Sequence, residues 1–363
     1  MSFAASAVIH RDHLRHNLGV VRAARPGARV MAMVKANAYG HGLVEVARVL
    51  FDADSLAVAR PEEAEALRAA GVENPIVLLE GVFDAPGMAT ADALDCELVV
   101  HTPEQIALLA AHRTDARFTV WLKVDTGMNR LGFPMAALDE AERALRELPQ
   151  VAELRLMSHY ASADAADGAQ LAQQRERLEP RLARFEGAVS LANSPAALRA
   201  GALGDDEAPA SDWIRPGVAL YGISPFSGVS AETLGLKPVM DFETRLIAVR
   251  DLVAGERVGY GGRFTATGPM RIGIAAAGYG DGYPRRMPDG TPVLVDGHTA
   301  TIAGRVSMDM LGIDVTQVPD ARVGSAVRLW GAGLPAETIA EACDTIAYEL
   351  VTRVSERVTR VYL

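Results

Sequence analysis

The sequence predicts an α/β protein in which an N-terminal (β/α)8 barrel of the TIM type is followed by a mostly antiparallel β domain. Over the first two thirds of the 363 residues, short apolar runs typical of strands alternate with longer segments of helical periodicity. Eight such strands can be counted in this region. After Gly222 the helical pattern stops, and strands and turns replace it.

The eight predicted strands are short apolar runs, each separated from the next by a helical segment. Eight parallel strands with intervening helices close into a barrel of about 200 to 250 residues. An open, doubly wound sheet is the alternative, although no GxGxxG motif follows the first strand to favour it. The predicted strands span residues 30–34, 56–59, 76–79, 98–100, 118–124, 154–158, 188–192 and 218–221.

A stretch rich in serine, proline and glycine at residues 224–228 marks the predicted domain boundary. We therefore expect the barrel to occupy residues 10–226 and the β domain to occupy residues 227–363. Residues 1–9 are expected to add a strand to the second domain.

Within the second domain, alternating apolar residues predict strands, and Val-Asp-Gly-His at residues 295–298 predicts a hairpin turn. A helix is expected around residues 336–343 and a closing strand over residues 353–362. The residues that share the first alternating face are Met240, Phe242, Leu246 and Ala248.

The composition is that of a folded protein with no attraction to nucleic acid. Hydrophobic residues make up 49% of the chain and charged residues 23%. The 36 Lys and Arg residues are outnumbered by 46 Asp and Glu residues, and the resulting charge of -10 opposes binding to a nucleic-acid backbone. No apolar run approaches the roughly 20 residues of a membrane span, and no secretory signal is visible. We therefore expect neither nucleic acid nor a membrane as a partner.

The two cysteines, Cys96 and Cys343, lie far apart and belong to no CxxC motif or Cys/His cluster. This pattern argues against a disulfide framework and against a thiolate metal site, so no metal is expected. A reducing compartment, and therefore the cytoplasm, is the expected location.

Lys35 directly follows the first apolar strand, so a barrel places its amine at the mouth where barrel active sites form. On position alone, an ordinary solvated lysine is the alternative. The surrounding sequence at residues 34–42 is VKANAYGHG. This segment closely resembles the pyridoxal-phosphate attachment segment of bacterial alanine racemases.

Further motifs resemble those of the same family, in the family's order and over nearly the whole chain. The resemblance implies the predicted two-domain fold, with pyridoxal 5'-phosphate bound in the barrel of residues 10–226. The motifs are ANSP at 192–195, RPG at 215–217, VGYG at 258–261, GYGDG at 278–282 and RVSMD at 305–309.

The resemblance implies a catalytic pair, Lys35 and Tyr260. A lysine amine can form a Schiff base with the cofactor aldehyde, and the cofactor then makes the α proton of an amino acid removable. Inverting a stereocentre requires a proton acceptor on one face and a donor on the other. In the family the tyrosine comes from the other subunit of a homodimer. Taken alone, Tyr260 would be a packed tyrosine in a glycine-rich turn.

His159 and Arg215 are expected to support this chemistry. A phenol with an ordinary pKa near 10 needs help to act as a base at neutral pH, and the resemblance links Tyr260 through His159 to Arg215. It also sets Arg215 against the cofactor's ring nitrogen. Because a guanidinium only donates hydrogen bonds, that nitrogen would stay unprotonated, and the electron sink would be weakened. This is our hypothesis for why racemisation wins over transamination.

Cofactor phosphate and substrate carboxylate each need several donors. For the phosphate, the turn at Arg215-Pro216-Gly217-Val218 presents backbone N–H groups, and the hydroxyls of Ser194 and Tyr39 can donate as well. For the carboxylate, the resemblance implies the Arg130 side chain and the backbone N–H of Met308. The cofactor-binding residues expected in this way are Lys35, Tyr39, His159, Ser194, Arg215, Gly217 and Val218.

The resemblance also implies three supporting residues. Tyr279 and Asp309 come from the motifs above, and Lys123 lies with Arg130 in the segment LKVDTGMNRLG at residues 122–132. Family lysines at the position of Lys123 are commonly carbamylated, which turns a repulsion with Arg130 into an attraction. A strand lysine that pairs with Asp125 is the alternative.

The sequence departs from the family near its end, where a tyrosine often reaches the phosphate. Residues 354–358 offer Ser355 or Glu356 instead, and a carboxylate would repel phosphate. That contact is left unassigned, because neither Tyr348 nor Tyr362 is an evident substitute.

The resemblance therefore implies interconversion of L- and D-alanine, for peptidoglycan precursor supply or D-alanine catabolism, by a homodimer with shared active sites. A broader alanine and serine racemase is one alternative, because a pocket separates a methyl from a hydroxymethyl group by only about 1 to 3 kcal/mol. A non-catalytic pyridoxal-phosphate carrier and an amino-acid decarboxylase are the others, and no sequence feature favours either of them.

Overall fold

A computed structural model describes residues 3–204 and 211–363 of the chain. The strands are β1 Ser6–Ile9, β2 Arg29–Met33, β3 Ser55–Val58, β4 Ile76–Leu78, β5 Cys96–Val100, β6 Phe118–Asp125, β7 Phe133–Pro134, β8 Val151–Met157, β9 Val189–Asn193, β10 Trp213–Arg215, β11 Met240–Leu252, β12 Arg257–Val258, β13 Phe264–Thr265, β14 Met270–Ala275, β15 Pro292–Val295, β16 His298–Ile302, β17 Leu311–Asp314, β18 Ala326–Trp330 and β19 Thr359–Tyr362. The helices are α1 Arg11–Ala24, α2 Lys35–Tyr39, α3 Leu43–Val49, α4 Pro61–Ala69, α5 Ala85–Ala93, α6 Pro103–Ala111, α7 Leu138–Glu147, α8 Ala169–Leu182, α9 Ser194–Leu203, α10 Ala336–Ala342 and α11 Ala347–Thr352.

Parallel strands in the first part of the chain form a closed barrel. Their order is β5-β4-β3-β2-β10-β9-β8-β6, and β6 pairs with β5 to close the ring. Each strand has a fully or mostly buried apolar run because helices cover its outer face while side chains fill the interior. The interior is packed with large residues, among them Met31, Val99, Trp121, Met157 and Trp213. The predicted (β/α)8 barrel is confirmed.

The helices around the barrel begin where the sequence supplies capping residues. The side chain of Asp84 accepts a hydrogen bond from the N–H of Gly87, and Thr102 accepts one from Gln105. Pro86 and Pro103 then occupy the first helical positions, where a missing N–H leaves no hydrogen bond unmade. These caps fix the βα junctions and therefore the positions of the loops at the barrel mouth.

The eighth predicted strand was wrong. Residues 218–221 form a 3-10 helix, and the eighth barrel strand is Trp213–Arg215, between β9 and β2. Both segments are buried, and a short apolar run does not reveal whether it is extended or helical. The left-handed Gly222, with φ 74°, ends the 3-10 helix.

The second sheet is mostly antiparallel, as expected, in the order β14-β17-β16-β15-β18-β11-β1-β19. The predicted hairpin joins β15 to β16, and Asp296 and Gly297 both have positive φ, as a type I′ turn requires. The helix expected near residue 336 is α10. The N-terminal strand β1 lies in this sheet, between β11 and β19.

The predicted closing strand over residues 353–362 was too long. The described structure has helix α11 at Ala347–Thr352, then an irregular stretch, and then β19, which pairs in parallel with β1. Val354 and Val358 are apolar because they are buried, and they produced the alternating pattern in the sequence, although the backbone at residues 353–358 is not a strand. The chain end consequently lies against the N-terminal strand and close to the first βα junction of the barrel.

Candidate active site

A cavity of about 550 Å³ opens at the carboxyl ends of the barrel strands. Barrel enzymes place their reacting groups at this end, on the loops that follow the strands. The cavity collects nine of the side chains and turn residues predicted from the sequence. They are Lys35, Tyr39, Lys123, Arg130, His159, Ser194, Arg215, Gly217 and Val218.

Lys35 stands at the end of β2, at the start of a left-handed turn. The four residues Ala36, Asn37, Ala38 and Tyr39 all have φ between 52° and 54°. A non-glycine residue in this conformation costs roughly 1–2 kcal/mol, so the surrounding structure must hold the turn. Part of this support is a hydrogen bond within the segment itself, in which the Ala38 N–H donates to the Val34 carbonyl at 2.8 Å. The turn aims both Lys35 and Tyr39 at the cavity.

Positive charge dominates the cavity and alters its lysines. Burial, and then the Arg130 guanidinium, lower the pKa of Lys35 below its ordinary value. Burial together with Arg215 and Arg130 lowers the pKa of Lys123 to about 8. The chain has three lysines, and two of them are in this cavity. Two acidic residues, Glu80 and Asp164, also line the cavity, but its four lysine and arginine side chains outnumber them, which favours an anionic ligand.

Arg215 is buried at the end of β10 and makes hydrogen bonds in several directions. It donates to the Ser190 hydroxyl at 2.7 Å and to the Ser158 carbonyl at 2.6 Å. Its Nη2 lies 3.2 Å from Nδ1 of His159. Since a guanidinium has only donors, Nδ1 must be the acceptor, and the proton of the neutral imidazole is on Nε2.

His159 is held in this neutral form. Burial and the cations Arg215, Arg130, Lys123 and Lys35 lower its pKa to about 2. Its Nε2 lies 3.4 Å from the Asn193 side-chain nitrogen, and that amide's oxygen caps helix α9. Both nitrogens of this contact are donors, so the Nε2–H of His159 is available to an incoming acceptor such as a phenol oxygen.

A polar cradle lies beside helix α9. The Ser194 hydroxyl accepts hydrogen bonds from the N–H groups of Gly217, at 2.8 Å, and Ala219, at 3.4 Å. A Cβ at Gly217 would come within 2.5 Å of the Tyr39 hydroxyl, so only glycine permits this approach. Burial raises the pKa of Tyr39 to about 12, which keeps its hydroxyl a donor. Hydroxyls, N–H groups and a helix N-terminus together suit a phosphate.

Tyr348, which the sequence analysis left unassigned, also lines the cavity. It lies on helix α11, and its ring centre is 6.3 Å from that of Tyr39. Glu356 is exposed, and the hydroxyl of Tyr362 donates to the His41 carbonyl outside the cavity lining. The signal that would have found Tyr348 is helix α11, which was missed because the region was expected to hold only a helix at 336–343 and a strand.

Four predicted residues of the β domain lie outside this cavity. Tyr260 is 71% exposed on a 3-10 turn between β12 and β13, Met308 is 52% exposed and Tyr279 is 39% exposed. Arg357 holds the motifs of Tyr279 and Met308 together, because it pairs with Asp281 and with Asp309, the fourth of these residues, each at 2.8 Å. The structure of one chain therefore brings together the barrel half of the predicted site and leaves the other half on the surface.

The described residues contain no group of three His, Cys, Asp or Glu side chains that could hold a metal ion. None of the described helices is both long enough and apolar enough to span a membrane. Cys96 and Cys343 are both unpaired.

The fold and the cavity define a class of protein, namely a barrel protein with a lysine of lowered pKa among other cations at the barrel mouth, followed by a β domain. Residues 9–225 match the family model "Alanine racemase, N-terminal domain", and residues 239–362 match "Alanine racemase, C-terminal domain". The chain belongs to the alanine racemase family.

Individual relatives agree with the family models over the full length. The chain is 48% identical to an alanine racemase of Chromohalobacter salexigens, covering 100% of this chain and 98% of the relative. It is 45% identical to the crystal structure of the biosynthetic alanine racemase from Pseudomonas aeruginosa, with a TM-score of 0.95 and full coverage of both chains. An alanine racemase structure from Acinetobacter baumannii has 36% identity and a TM-score of 0.90, again with full coverage.

Proposed function

We propose that this enzyme, an amino-acid racemase by its family, interconverts L- and D-alanine with pyridoxal 5'-phosphate, using Lys35 and Tyr260 as bases on opposite faces of the substrate. The observation that carries the proposal is the cavity at the barrel mouth, where a lysine of lowered pKa lies among Lys123, Arg130 and Arg215. Family membership and full-length similarity to alanine racemases support alanine as the substrate.

The cavity fits the proposed cofactor. Tyr39, Ser194 and the turn at Gly217 and Val218 would hold the phosphate, and Tyr348 is the candidate for the contact that the sequence left unassigned. Lys35 would carry the cofactor through its amine. When bound, pyridoxal phosphate supplies an electron sink that makes the α proton of alanine removable.

The lowered pKa of Lys35 favours its neutral amine, which is the form that can accept a proton. An amine with an ordinary pKa of about 10.4 would be almost wholly protonated at neutral pH and could not accept a proton. On the opposite face, Tyr260 has to arrive from another chain, since it is exposed and lies outside the cavity. The Nε2–H of His159 can then donate to its phenol oxygen and stabilise the phenolate, while Arg215 fixes the tautomer of His159.

Arg130 lines the cavity and is exposed within one chain, which suits a clamp for the carboxylate of an entering amino acid. The backbone N–H of Met308 would complete that clamp from the second chain. Carbamylation of Lys123 would place a negative group beside Arg130 and hold the guanidinium in position. Tyr279 and Asp309 belong to the same motifs and are expected to shape this second half.

We further propose a cytoplasmic homodimer with two shared sites. The exposed Tyr260, Met308 and Tyr279 support the dimer, because a single chain leaves them in solvent. The two unpaired cysteines suit a reducing compartment.

The test is one incubation of the purified protein with pyridoxal phosphate and L-alanine in D₂O. NMR follows deuterium entry at Cα, and chiral chromatography follows the enantiomer ratio. We expect both deuterium entry and an equal mixture of L- and D-alanine. Exchange with retained configuration would mean that one base works, and the absence of both signals would reject the proposal. A parallel incubation with L-serine measures the breadth of the pocket.

A further inference from the structure

We propose that Arg360 and Tyr362, at the carboxyl end of the β domain, are positioning residues that hold Lys35 and Tyr39 in place through the left-handed turn between them. Neither belongs to the cavity lining given by the described residues. The inference rests on the proposed function, since it concerns the lysine of that site, but its first test is a measurement that needs no conversion of alanine.

The left-handed turn requires external support, because four successive non-glycine residues adopt a conformation that each of them disfavours. On the barrel side this support comes from Glu63. One of its carboxylate oxygens accepts the Ala36 N–H at 2.6 Å, and the other accepts the Ala59 N–H at 2.9 Å. The beginning of the turn is thereby fixed to the end of the neighbouring strand β3.

On the other side the support comes from the C-terminal strand. The Nε of Arg360 donates to the Gly40 carbonyl at 2.7 Å, and the Tyr362 hydroxyl donates to the His41 carbonyl at 3.1 Å. The bond from the guanidinium is charge-assisted, and it ends on the residue directly after the turn. Two successive carbonyls of the lysine-bearing segment are thus bound to β19.

The two donors are themselves held firmly. Arg360 also donates to the Val354 carbonyl at 3.0 Å, and Arg11 donates to the Tyr362 carbonyl at 3.1 Å. Strand β19 pairs with β1, with Tyr362 opposite Ile9. Because these two donors are held rigidly by the β domain, they fix the position of the turn relative to that domain. A mobile surface side chain could not fix it.

Residues 40–42, which follow the left-handed turn, pack directly against the C-terminal part of the chain, with no space between the two segments. Gly40 and Gly42 have φ values of 82° and 101°, and a Cβ at either would collide with the C-terminal segment. At Gly40 the collision is with the Val351 carbonyl, and at Gly42 it is with the Tyr362 hydroxyl. The close contact explains why glycine occupies both positions, and it means that a change in the C-terminal segment moves the turn.

Lys35 and Tyr39 lie at the two ends of this turn, so a shift of the turn displaces the base and the proposed phosphate donor together. A displacement of about 1 Å from the reactive geometry can cost about a hundredfold in rate. Arg130 and Met308, the proposed carboxylate clamp, belong to other segments. Loss of the support is therefore expected to lower kcat more than it raises KM.

The experiment measures amide hydrogen exchange of the peptide covering residues 36–43 in the full-length chain, before and after saturation with pyridoxal phosphate. We expect exchange about tenfold faster in Arg360→Met and about fivefold faster in Tyr362→Phe than in the unaltered chain. Arg360→Lys should restore part of the protection, because its ammonium can still donate to the Gly40 carbonyl. Arg353→Met is the matched control, since this exposed arginine pairs with Glu349 and should leave the turn unchanged.

Kinetics with alanine give the second readout. Arg360→Met and Tyr362→Phe should lower kcat at nearly constant KM, and Arg353→Met should change neither. Unchanged exchange of residues 36–43 in both variants, or protection lost equally throughout the protein, would overturn the positioning role. If Arg360→Met does not fold, Tyr362→Phe decides the question, because it removes a single hydroxyl. Failure of the unaltered chain to racemise alanine would reject the proposed function and leave the exchange result intact.

Discussion

The barrel cavity and the exposed motifs of the β domain differ most in how much of their chemistry one chain completes. Arg215 and Lys123 are 4% and 8% exposed, and the groups around them are already aligned by hydrogen bonds and charge. Tyr260 and Met308 are 71% and 52% exposed. A large aromatic side chain and a large apolar side chain that are both left in solvent are typical of a contact surface.

Under the proposed function, the difference means that one folded chain forms the half of the site that would bind the cofactor, while the half that carries Tyr260 is supplied by a second chain. Tyr260 is held in its exposed position by local backbone geometry, with Gly259, Gly261 and Gly262 all at positive φ around it. Arg357 likewise fixes the turns that carry Met308 and Asp309. The turns that carry Tyr260 and Met308 are therefore already formed within one chain. Under the proposed function, only the association of two chains is needed to complete the site.

The largest effect is expected from Tyr260→Phe, which removes the second base without disturbing the barrel. Because general-base catalysis contributes about 10²- to 10⁴-fold, abstraction of the α proton from L-alanine should slow by about that factor. If Tyr260 takes the proton from L-alanine, Lys35 on the opposite face takes it from D-alanine, and abstraction from D-alanine should be much less affected. Deuterium entry at Cα from each enantiomer measures this directly. Equal slowing from both sides would mean that Tyr260 is not a face-specific base.

The next effect concerns Arg215→Glu, which replaces a donor by a carboxylate facing the proposed ring nitrogen. A carboxylate favours protonation of that nitrogen, and one pKa unit corresponds to a factor of ten. We therefore expect transamination relative to racemisation to rise about tenfold, measured as pyruvate formed per racemisation event. Arg215→Lys, which keeps the positive charge, is the control. An unchanged product ratio in a folded Arg215→Glu protein would refute this role.

A smaller effect is expected from Lys123→Met. With a pKa of about 8, the Lys123 amine is partly neutral at pH 8 and can react with carbon dioxide. Loss of the resulting carbamate should release Arg130 and reduce kcat/KM for alanine about tenfold. A carbamate signal in the ¹³C NMR spectrum of bicarbonate-labelled protein should disappear in Lys123→Met and persist in the control Lys237→Met, whose lysine is exposed. Absence of the signal from the unaltered protein would favour a plain lysine.

A further prediction concerns stability rather than activity, namely its dependence on pH. The folded pKa of His159 is lowered to about 2, whereas an unfolded histidine has a pKa near 6.5, so below pH 6.5 only the unfolded chain binds this proton. The contribution of His159 to stability is therefore complete above pH 6.5 and falls, by at most about 1.4 kcal/mol per pH unit, as the pH decreases towards 2.

Denaturant titrations at several pH values measure this slope. In His159→Gln the free energy of unfolding should depend less steeply on pH between 4 and 6.5, while the exposed His298→Gln should retain the original slope. His41, whose pKa burial lowers to about 4, adds a similar slope in all three proteins and so does not affect the comparison. Identical slopes in the two variants would contradict the buried, neutral state of His159.

The sequence predicted the barrel because its apolar runs repeat at strand and helix spacing. It placed Lys35 at the barrel mouth because the lysine directly follows such a run, but only the resemblance of residues 34–42 to the family's attachment segment implied a catalytic role. It misplaced the eighth strand because Trp213–Arg215 is short and ends in an arginine, while the apolar residues 218–221 had the expected composition. Tyr348 and the contacts of Arg360 and Tyr362 depend on how the end of the chain packs against the barrel. Contacts between residues more than 300 positions apart leave no local pattern.

The measurement that tests the shared site most directly is complementation between two defective variants. Lys35→Ala lacks the barrel base and Tyr260→Phe lacks the opposing tyrosine, so each homodimer should be nearly inactive. After unfolding and refolding an equal mixture, half of the dimers are mixed, and each mixed dimer has one site with both residues intact. We predict recovery of about a quarter of the unaltered activity. Recovery of no activity, with mixed dimers verified by mass spectrometry, would contradict a site completed by a second chain.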